Sequence, residues 1–491
     1  MDQVHKKLEV DIEQTRPVCP KEVLTGLIIA VCAAVLFVHW PTLSAEALSF
    51  DDERYLLRNV LVQNPSWAST KHFLTEVLRP STVRGYYQPL SMISLMLDCA
   101  FGGSPKNLMP FHTTSLALHI ANTALIIILL WLLFGRPWVA ASAGLLFGLH
   151  PMTVETIAWI SERKTVLSAF FALWCLILYV RFSSKRNWLY YAGSVAAYIL
   201  ALMAKPISVP LPVAMLLMDY WPLRRLSRRS VLEKLPFFMV AIVSAAITYI
   251  SQAGTATARI GGGYGLKRVG LVVCHNIIFY LYKIIYPANL SSFYPFPEPL
   301  ALSQPMVLAG VIGSFLLIVL LLFLLRWARA PLAGWLIFFV MIFPTLGVVR
   351  FTKVIASDKF AYLPSVGLLM ILAAFIGWFC DVGDRIKIGT RCIVVSLVLL
   401  VLAGGESVAV RRYLVCWRDT ESFCKHILSL TPKVADIHFM LGRIYYLRGD
   451  IDKGIEQYKQ ALQYDPRHTE SSIILELFCR LKAGQTRQLT I

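Results

Sequence analysis

Long apolar runs alternate with short polar stretches along most of the chain. A transmembrane helix needs about 20 mostly apolar residues, and runs near that length recur. The pattern therefore predicts a chain that crosses a membrane many times. The predicted spans cover residues 23–43, 113–133, 137–158, 165–182, 188–204, 206–222, 235–251, 306–325, 332–349, 362–380 and 392–409.

Basic residues in alternate short loops give the predicted orientation, because cytoplasmic loops collect Lys and Arg. Arg136, Arg186 and Arg225 mark three such loops. This places a tail at 1–22 inside. The basic loops assigned to the inside are marked by Arg136, by Arg181, Lys185 and Arg186, and by Arg224, Arg225, Arg228 and Arg229.

Two longer polar loops, 44–112 and 252–305, are then expected to face outward. The second contains an apolar stretch, His275 to Pro287, that is short and carries Lys283. We interpret it as an amphipathic helix in the outer interface. The membrane domain then covers residues 23–410 with eleven spans, in an all-α integral membrane fold.

The pattern changes after residue 410, where polar residues dominate. Residues 435–468 have the length of a tetratricopeptide repeat and match its signature at several positions. The matching residues are Leu441, Gly442, Tyr445, Tyr458, Ala461 and Pro466. Because about three repeats are needed for independent stability, segment 411–491 is expected outside, packed on the membrane domain or on a partner.

Composition agrees with a membrane protein: 57% of the 491 residues are hydrophobic and 15% are charged, against about 25% charged in soluble domains. The net charge of +18 fits the inward loops and does not indicate nucleic-acid binding, since no large soluble basic domain is present. The ten cysteines are scattered without a C-x-x-C pair, so neither a zinc site nor a disulfide framework is indicated.

Charged residues cluster at the predicted outward ends of the spans, and such residues are functional candidates because burying charge at membrane depth is costly. The cluster comprises Asp51, Asp52, His150, Glu155, Glu162, Arg163, Lys164, Lys205, Asp358 and Lys359. Carboxylates beside cations suit transfer of a group from a lipid phosphate. A carboxylate can take the proton of an acceptor hydroxyl, and cations stabilise the departing phosphate.

Asp51 and Asp52 are the predicted catalytic carboxylates, and Arg163, Lys164, Lys205 and Lys359 the predicted phosphate-binding cations. Other interpretations remain open at this point. The two aspartates could instead serve merely as a helix cap, and Arg163 and Lys164 could instead serve merely as anchors at lipid headgroups. Paired carboxylates could also hold Mg²⁺ or Mn²⁺ through oxygen ligands, although no cofactor is certain.

The order of the short motifs resembles the transmembrane and tetratricopeptide repeat-containing family. The motifs are Phe50-Asp51-Asp52, Tyr87-Gln88-Pro89-Leu90, Phe111-His112, residues 149–155 and 161–164, Ala204-Lys205-Pro206, Tyr294-Pro295 and residues 357–364. That family is similar to protein O-mannosyltransferases of the GT-C superfamily, and the shorter bacterial relatives fit this chain best.

The resemblance implies a GT-C-type, inverting transferase that moves a mannose-like sugar from a polyprenyl phosphate to a hydroxyl, such as a protein Ser or Thr. It assigns Asp51 and Asp52 to the acidic first-loop motif and Asp358-Lys359 to an acidic–basic pair. It implies a bacterial cytoplasmic membrane, an outward-facing site, and an acceptor protein or glycan docked by the repeat. The supporting residues are Tyr87, Gln88, His112, His150, Glu155, Glu162, Asp358 and Tyr362.

Two other function classes compete with a transferase. A lipid transporter or flippase needs polar residues distributed through the spans, whereas here they concentrate at the outward ends. A non-catalytic assembly protein could present the tetratricopeptide repeat to partners, but it leaves the Asp51-Asp52 and Arg163-Lys164 motifs unexplained.

Overall fold

A computed structural model describes residues 21–77, 83, 87–253, 259–260, 266–350, 354–381 and 385–477. Most of the predicted tail at 1–22, parts of the loop at 252–305 and the last residues of the repeat segment lie outside these ranges.

The described chain is built almost entirely from helices. In chain order they are α1 (Lys21–His39), α2 (Val60–Gln63), α3 (Trp67–Thr75), α4 (Pro89–Ala100), α5 (Met109–Phe134), α6 (Pro137–Leu149), α7 (Val154–Ala158), α8 (Arg163–Lys185), α9 (Trp188–Ala204), α10 (Leu211–Tyr220), α11 (Arg228–Leu232), α12 (Leu235–Ala253), α13 (Leu266–Ile285), α14 (Pro305–Leu324), α15 (Ala330–Ile342), α16 (Ser365–Asp381), α17 (Arg385–Cys416), α18 (Thr420–Leu430), α19 (Ala435–Leu447) and α20 (Ile451–Tyr464). Two short strands, β1 (Arg259–Ile260) and β2 (Val349–Arg350), pair antiparallel.

Among the described residues, seven helices are long and apolar enough to cross a membrane, and six apolar helices are shorter, with 10–17 residues. The all-helical, multi-pass prediction is confirmed in this form. The exact number of eleven spans stays a prediction. The seven long segments are Lys21–Ser44, Met109–Phe134, Ile160–Lys185, Arg228–Ser251, Arg268–Ile285, Pro305–Leu324 and Gly389–Cys416.

The segment predicted as a short interfacial helix, His275 to Pro287, belongs to a longer helix, the 20-residue α13. Its polar side chains contact the segment that leads to Asp358: Asn276 Nδ2 donates to the carbonyl of Ile355 at 2.9 Å, and Tyr280 donates to that of Ser357 at 3.2 Å. The helix is therefore longer than predicted, and its part Arg268–Ile285 is one of the seven segments long and apolar enough to cross a membrane. Its location in the interface stays a prediction.

The predicted span 137–158 is interrupted. Helix α6 ends at Leu149 because Pro151 follows, and a residue before proline is disfavoured in helical conformation; His150 is extended, with φ −67° and ψ 127°. Irregular turns and the five-residue α7 carry the chain to the start of α8. These turns are buried within the protein, which is where non-helical backbone is tolerated at membrane depth.

A core of apolar side chains joins α1, α5, α6, α8, α9 and the helices after them. Helix α8 packs along both α5 and α9. Its first turn marks what we call the site end of the bundle, and its last turn marks the opposite end.

Helices α18 and α19 of the carboxy-terminal segment lie against the site end. Backbone N–H groups of Glu46 and Ser49 donate to the carbonyl of Arg418 at 2.8 Å and to Oγ1 of Thr420 at 3.0 Å. Arg443 of α19 forms a 2.8 Å ion pair with Glu53. The repeat therefore packs on the membrane domain, beside the loop that contains Asp51 and Asp52.

Candidate active site

Three lysines surround one buried carboxylate at the site end. The ammonium groups of Lys164, Lys205 and Lys359 lie 3.3, 3.1 and 3.2 Å from the carboxylate oxygens of Glu162, whose side chain is 1% exposed. We call these four residues the lysine cluster. Side chains from distant parts of the sequence thus converge, as the positions at span ends predicted.

Local backbone structure presents each lysine. Lys164 lies in the first turn of α8, directly after the irregular segment. Lys205 follows the last residue of α9 and is extended, with φ −158° and ψ 125°, because Pro206 comes next. Lys359 lies in a 3₁₀ turn, Asp358–Ala361, just before α16.

A second carboxylate, Glu155, holds Lys359 in place. One oxygen of Glu155 lies 3.2 Å from the Lys359 ammonium and accepts the Ser357 hydroxyl at 2.8 Å, and the other accepts the Lys359 backbone N–H at 2.9 Å. Glu155 therefore fixes both the backbone and the side chain of Lys359.

The two adjacent aspartates have different environments. Asp51 is 38% exposed at its side chain and lies 3.7 Å from the Lys164 ammonium. Asp52 is buried, and its two oxygens accept the backbone N–H groups of Leu48 at 2.9 Å and Ser161 at 2.8 Å. Burial raises the pKa of Asp52 to about 7. Of these two aspartates, only Asp51 presents a carboxylate that a substrate can reach.

Arg163 does not join the lysine cluster, although the sequence grouped it with the three lysines. Its side chain is fully buried and forms a 2.8 Å ion pair with Asp98 of α4. It also donates to the carbonyl of Phe111 at 2.5 Å. The guanidinium is thus occupied inside the bundle and is not available to a phosphate at the site.

Tyr55 is a site residue that the sequence analysis did not single out. Its hydroxyl accepts from Lys164 at 3.2 Å and from the side chain of Gln88, and the Lys164 ammonium lies 4.4 Å from the centre of its ring. Gln88 therefore reaches the cluster only through Tyr55. Tyr55 comes four residues after Asp51, in the same short helical segment as Glu53, and that proximity was the available signal.

Other predicted supporting residues lie outside the cluster. Tyr87 donates to the carbonyl of Leu74 at 3.0 Å. His150 donates to the carbonyl of Ile284 at 3.0 Å. The Tyr362 hydroxyl bonds His119 of α5 at 2.8 Å and so points into the bundle core. His112 is fully buried near the start of α5.

Asp358 is buried next to the cluster and connects it to the carboxy-terminal helices. It accepts the hydroxyls of Tyr294 at 2.9 Å and Tyr413 at 3.2 Å. Burial and the neighbouring Glu155 raise the pKa of Asp358 well above its usual value. Because Tyr413 belongs to α17, Asp358 joins the site turn to the helix that leads into the repeat.

Aromatic rings extend this connection. The Lys359 ammonium lies 4.2 Å from the ring centre of Trp159. Trp159 in turn contacts Trp417 and Phe423, with ring centres 6.0 and 6.5 Å away, and Phe50 at 5.6 Å. The cluster, the acidic loop and the repeat segment therefore share one packed boundary.

A narrow cleft of about 10 Å³, close to the space that one water molecule needs, lies beside Lys359. Its walls come from α8, α15, the turn after α9 and the turn before α16, and they are apolar apart from Lys359 and two hydroxyls. The lining residues are Thr165, Ser168, Ala169, Ile207, Met341, Lys359, Phe360, Leu363 and Pro364. The cleft thus places one ammonium group beside apolar side chains.

A divalent ion does not fit the aspartate pair as the structure holds it. Both oxygens of Asp52 already accept backbone N–H groups, which leaves Asp51 as the available carboxylate of the two. Within the described part of the chain, no group of three or more His, Cys, Asp or Glu side chains could hold a metal. No chemical step is therefore assigned to Mg²⁺ or Mn²⁺ here.

Comparison with known proteins gives two results. Residues 435–468 match the tetratricopeptide repeat model, which are the bounds predicted from the signature. The chain is also 30% identical to protein O-mannosyl-transferase TMTC2 of Homo sapiens, over 32% of this chain and 20% of that protein. It is 32% identical to tmtc2 of Xenopus laevis, over 31% of this chain and 18% of the relative, and 25% identical to Tmtc2 of Drosophila melanogaster, over 36% and 20%.

The predicted resemblance is confirmed: this is a membrane chain with a tetratricopeptide repeat and with similarity to protein O-mannosyl-transferases. The alignments span about a fifth of the length of these relatives.

Proposed function

We propose that the protein transfers a mannose-like sugar from a polyprenyl phosphate to a protein Ser or Thr hydroxyl on the outward side of a bacterial cytoplasmic membrane. The observation that carries this proposal is the accessible Asp51 carboxylate, 3.7 Å from Lys164 at the edge of the buried lysine cluster. This juxtaposition offers a base and a phosphate-binding group side by side. The names of the relatives support transfer of mannose to protein.

In the proposed reaction Asp51 accepts the proton of the acceptor hydroxyl as its oxygen attacks the anomeric carbon of the donor sugar. The bond between that carbon and the phosphate oxygen breaks, and the electron pair leaves with the prenyl phosphate. Attack from the side opposite the phosphate inverts the anomeric centre. The acidic loop supplies Asp51, and Asp52 holds that loop against the start of α8 through the Ser161 N–H.

The lysines are proposed to receive the donor phosphate. An ammonium group has three donors, and Lys205 uses two of them, on Glu162 at 3.1 Å and Thr165 at 2.7 Å. Preorganised cations stabilise the charge that develops on a departing phosphate. Glu162 keeps the lysines together before the donor arrives, and the phosphate then accepts their remaining hydrogen bonds.

The first part of the prenyl chain is proposed to lie against the apolar side chains that surround the narrow cleft beside Lys359. These side chains include Ile207, Met341 and Leu363, and Lys359 is the charged residue among them. A lipid phosphate has the same arrangement, with a charged head on an apolar chain. Burial of each CH₂ group contributes about 0.8 kcal/mol, so the chain adds affinity without using the lysines.

The test is a reaction of the purified full chain with polyprenyl-phosphate mannose and a Ser/Thr-containing acceptor peptide, followed by measurement of released prenyl phosphate and glycosylated peptide. Stoichiometric release of both products is expected, and Asp51→Asn should slow it by about 10² to 10⁴-fold. Passage of the lipid across vesicles without release of prenyl phosphate would replace this proposal with the transporter. Binding of protein partners with neither activity would leave the assembly function.

A further inference from the structure

A buried ion pair beneath the site has no assigned role in the proposed reaction. It joins Arg163, which follows Glu162, to Asp98 in the apolar helix α4. We infer that Arg163 and Asp98 are positioning residues that orient segment 161–164 so that Lys164 faces Asp51 and the donor phosphate. The inference rests on the proposed function for its kinetic consequence, although the orientation itself can be measured separately.

The first observation is that every guanidinium nitrogen of Arg163 has a partner. Nε donates to the Ser115 hydroxyl at 3.0 Å and Nη1 to that of Ser94 at 2.9 Å. Nη2 donates to the Phe111 carbonyl at 2.5 Å and lies 2.8 Å from Asp98. A planar fork with a partner on each of its three nitrogens is held in one orientation.

These partners connect α8 to two other helices. Ser94 and Asp98 belong to α4, and Ser115 belongs to α5. Thr114 of α5 donates to the second oxygen of Asp98 at 2.7 Å. The start of α8 is thus attached to both neighbouring helices through one side chain.

The direction of Arg163 determines that of Lys164. Successive residues on an α-helix are rotated by about 100°, since one turn holds 3.6 residues. With Arg163 directed into the bundle, Lys164 must point elsewhere, and its ammonium lies between Glu162 and Asp51. Asp52 restrains the same segment from the other side by accepting the Ser161 N–H at 2.8 Å.

Stability alone does not account for this arrangement. A buried ion pair can often be replaced by apolar residues of similar volume with no loss of stability, because burying two charges costs as much as their attraction returns. A geometric function does require it, since apolar side chains cannot bind the Phe111 carbonyl or the two serine hydroxyls. Replacing the pair with apolar residues should therefore change the orientation of segment 161–164 without changing the stability of the fold, so the two effects can be measured independently.

The experiment compares the double variant Asp98→Leu/Arg163→Met with wild type and with each single variant. Both single variants should lose thermal stability, and the double variant should regain it. Its donor kcat/KM should nevertheless stay about 10²-fold below wild type, as expected for a displacement of about 1 Å in the site. Labelling of Lys164 by a small amine-reactive reagent, measured by peptide mass spectrometry, should increase.

A matched control uses the buried pair at the opposite end of α8, Asp219 and Lys234, which are both fully buried. Asp219→Leu/Lys234→Met removes an equivalent pair far from the site, so kcat/KM and Lys164 labelling should match wild type. If the Asp98/Arg163 double variant does not fold, Arg163→Lys serves instead. It keeps the charge but loses the fork, so its donor KM should rise and its thermal stability should fall less than that of Arg163→Met.

The inference is overturned if the Asp98/Arg163 double variant, or Arg163→Lys in its place, folds with wild-type kcat/KM and wild-type Lys164 labelling. A wild-type protein without any transferase activity would instead remove the proposed function. Lys164 labelling would still decide the inference in that case, because it does not depend on turnover.

Discussion

Helix α8 connects two clusters of charged residues that look alike in sequence and differ in structure. At the site end, the lysine cluster borders the exposed Asp51. At the opposite end, Asp219 pairs with Lys234, and the Tyr179 hydroxyl donates to both Asp219 oxygens at 2.8 and 2.7 Å. Tyr179 lies sixteen residues after Arg163, or about 24 Å along the helix axis.

The two clusters differ in their exposure to solvent and in the ratio of cations to carboxylates. Asp219 and Lys234 are fully buried and satisfy each other, with Arg225 3.4 Å from Asp219. In the lysine cluster three ammonium groups share Glu162, and the accessible Asp51 is adjacent. A closed set of charges stabilises one structure, whereas an open set with unused donors can bind a ligand.

The strongest test of this comparison is Asp51→Asn. The amide keeps the shape and removes the base, so turnover should fall by about 10² to 10⁴-fold while the melting temperature stays unchanged. Prenyl-phosphate release and thermal unfolding of the same preparation measure both quantities. Glu46→Gln, at an exposed position five residues before Asp51, is the matched control and should retain turnover; a loss of equal size in both variants would contradict a specific role for Asp51.

The second test breaks the buried ion pair of Asp219 and Lys234. Asp219→Asn leaves the Lys234 ammonium buried without its counter-charge, which should lower the free energy of unfolding by about 3–5 kcal/mol. Turnover per folded molecule should not change, because the site is at the other end of α8. Thermal unfolding and a turnover assay normalised to folded protein provide the measurement, and a selective loss of turnover would show that the two ends are coupled.

The third test concerns the lysine cluster. Lys205→Met removes one ammonium at similar volume and should raise the donor KM by about 10 to 10²-fold, the equivalent of about 1.5–3 kcal/mol for a hydrogen bond to a charged group. The acceptor KM should be unaffected. Steady-state kinetics with each substrate varied in turn distinguishes the two, and an unchanged donor KM would exclude Lys205 from the phosphate site.

The smallest expected effect is a pH dependence. Burial lowers the pKa of Lys205 to about 8, with Glu162 opposing the shift and Lys164 and Lys359 adding to it. Because a lysine with a lowered pKa loses its charge as the pH rises through that value, donor affinity should weaken above about pH 8. Lys205→Arg should remove this step from a plot of donor KM against pH; a step of the same size in the variant would assign it to another group.

The sequence predicted the repeat well and the site in part. The repeat was found at its correct bounds because its signature depends on local helix packing, such as the close approach of Gly442 to the Tyr458 ring. Convergence of Lys164, Lys205 and Lys359 was predictable because charges concentrate where helices leave the membrane. The helix breaks that place them come from prolines such as Pro206, which are visible in the sequence.

The direction in which each of these side chains points was not predicted. Arg163 and Lys164 were assigned one role, as were Asp51 and Asp52, yet in each pair one side chain enters the bundle and the other faces the site. Adjacent residues on a helix cannot share a face, so the first error was avoidable. Asp98 was also missed, although a lone carboxylate in the apolar helix α4 indicates a buried partner.

The attachment of the carboxy-terminal helices fixes the distance between the repeat and the loop that contains Asp51. Arg443 of the repeat is tied to Glu53, two residues from Asp51. A polypeptide bound to the repeat would be held at a constant distance from Asp51, the proposed base. The hydroxyl that reaches Asp51 would then be selected by the number of residues between it and the docked segment, so the repeat would act as a ruler that tolerates many local sequences at the reaction point.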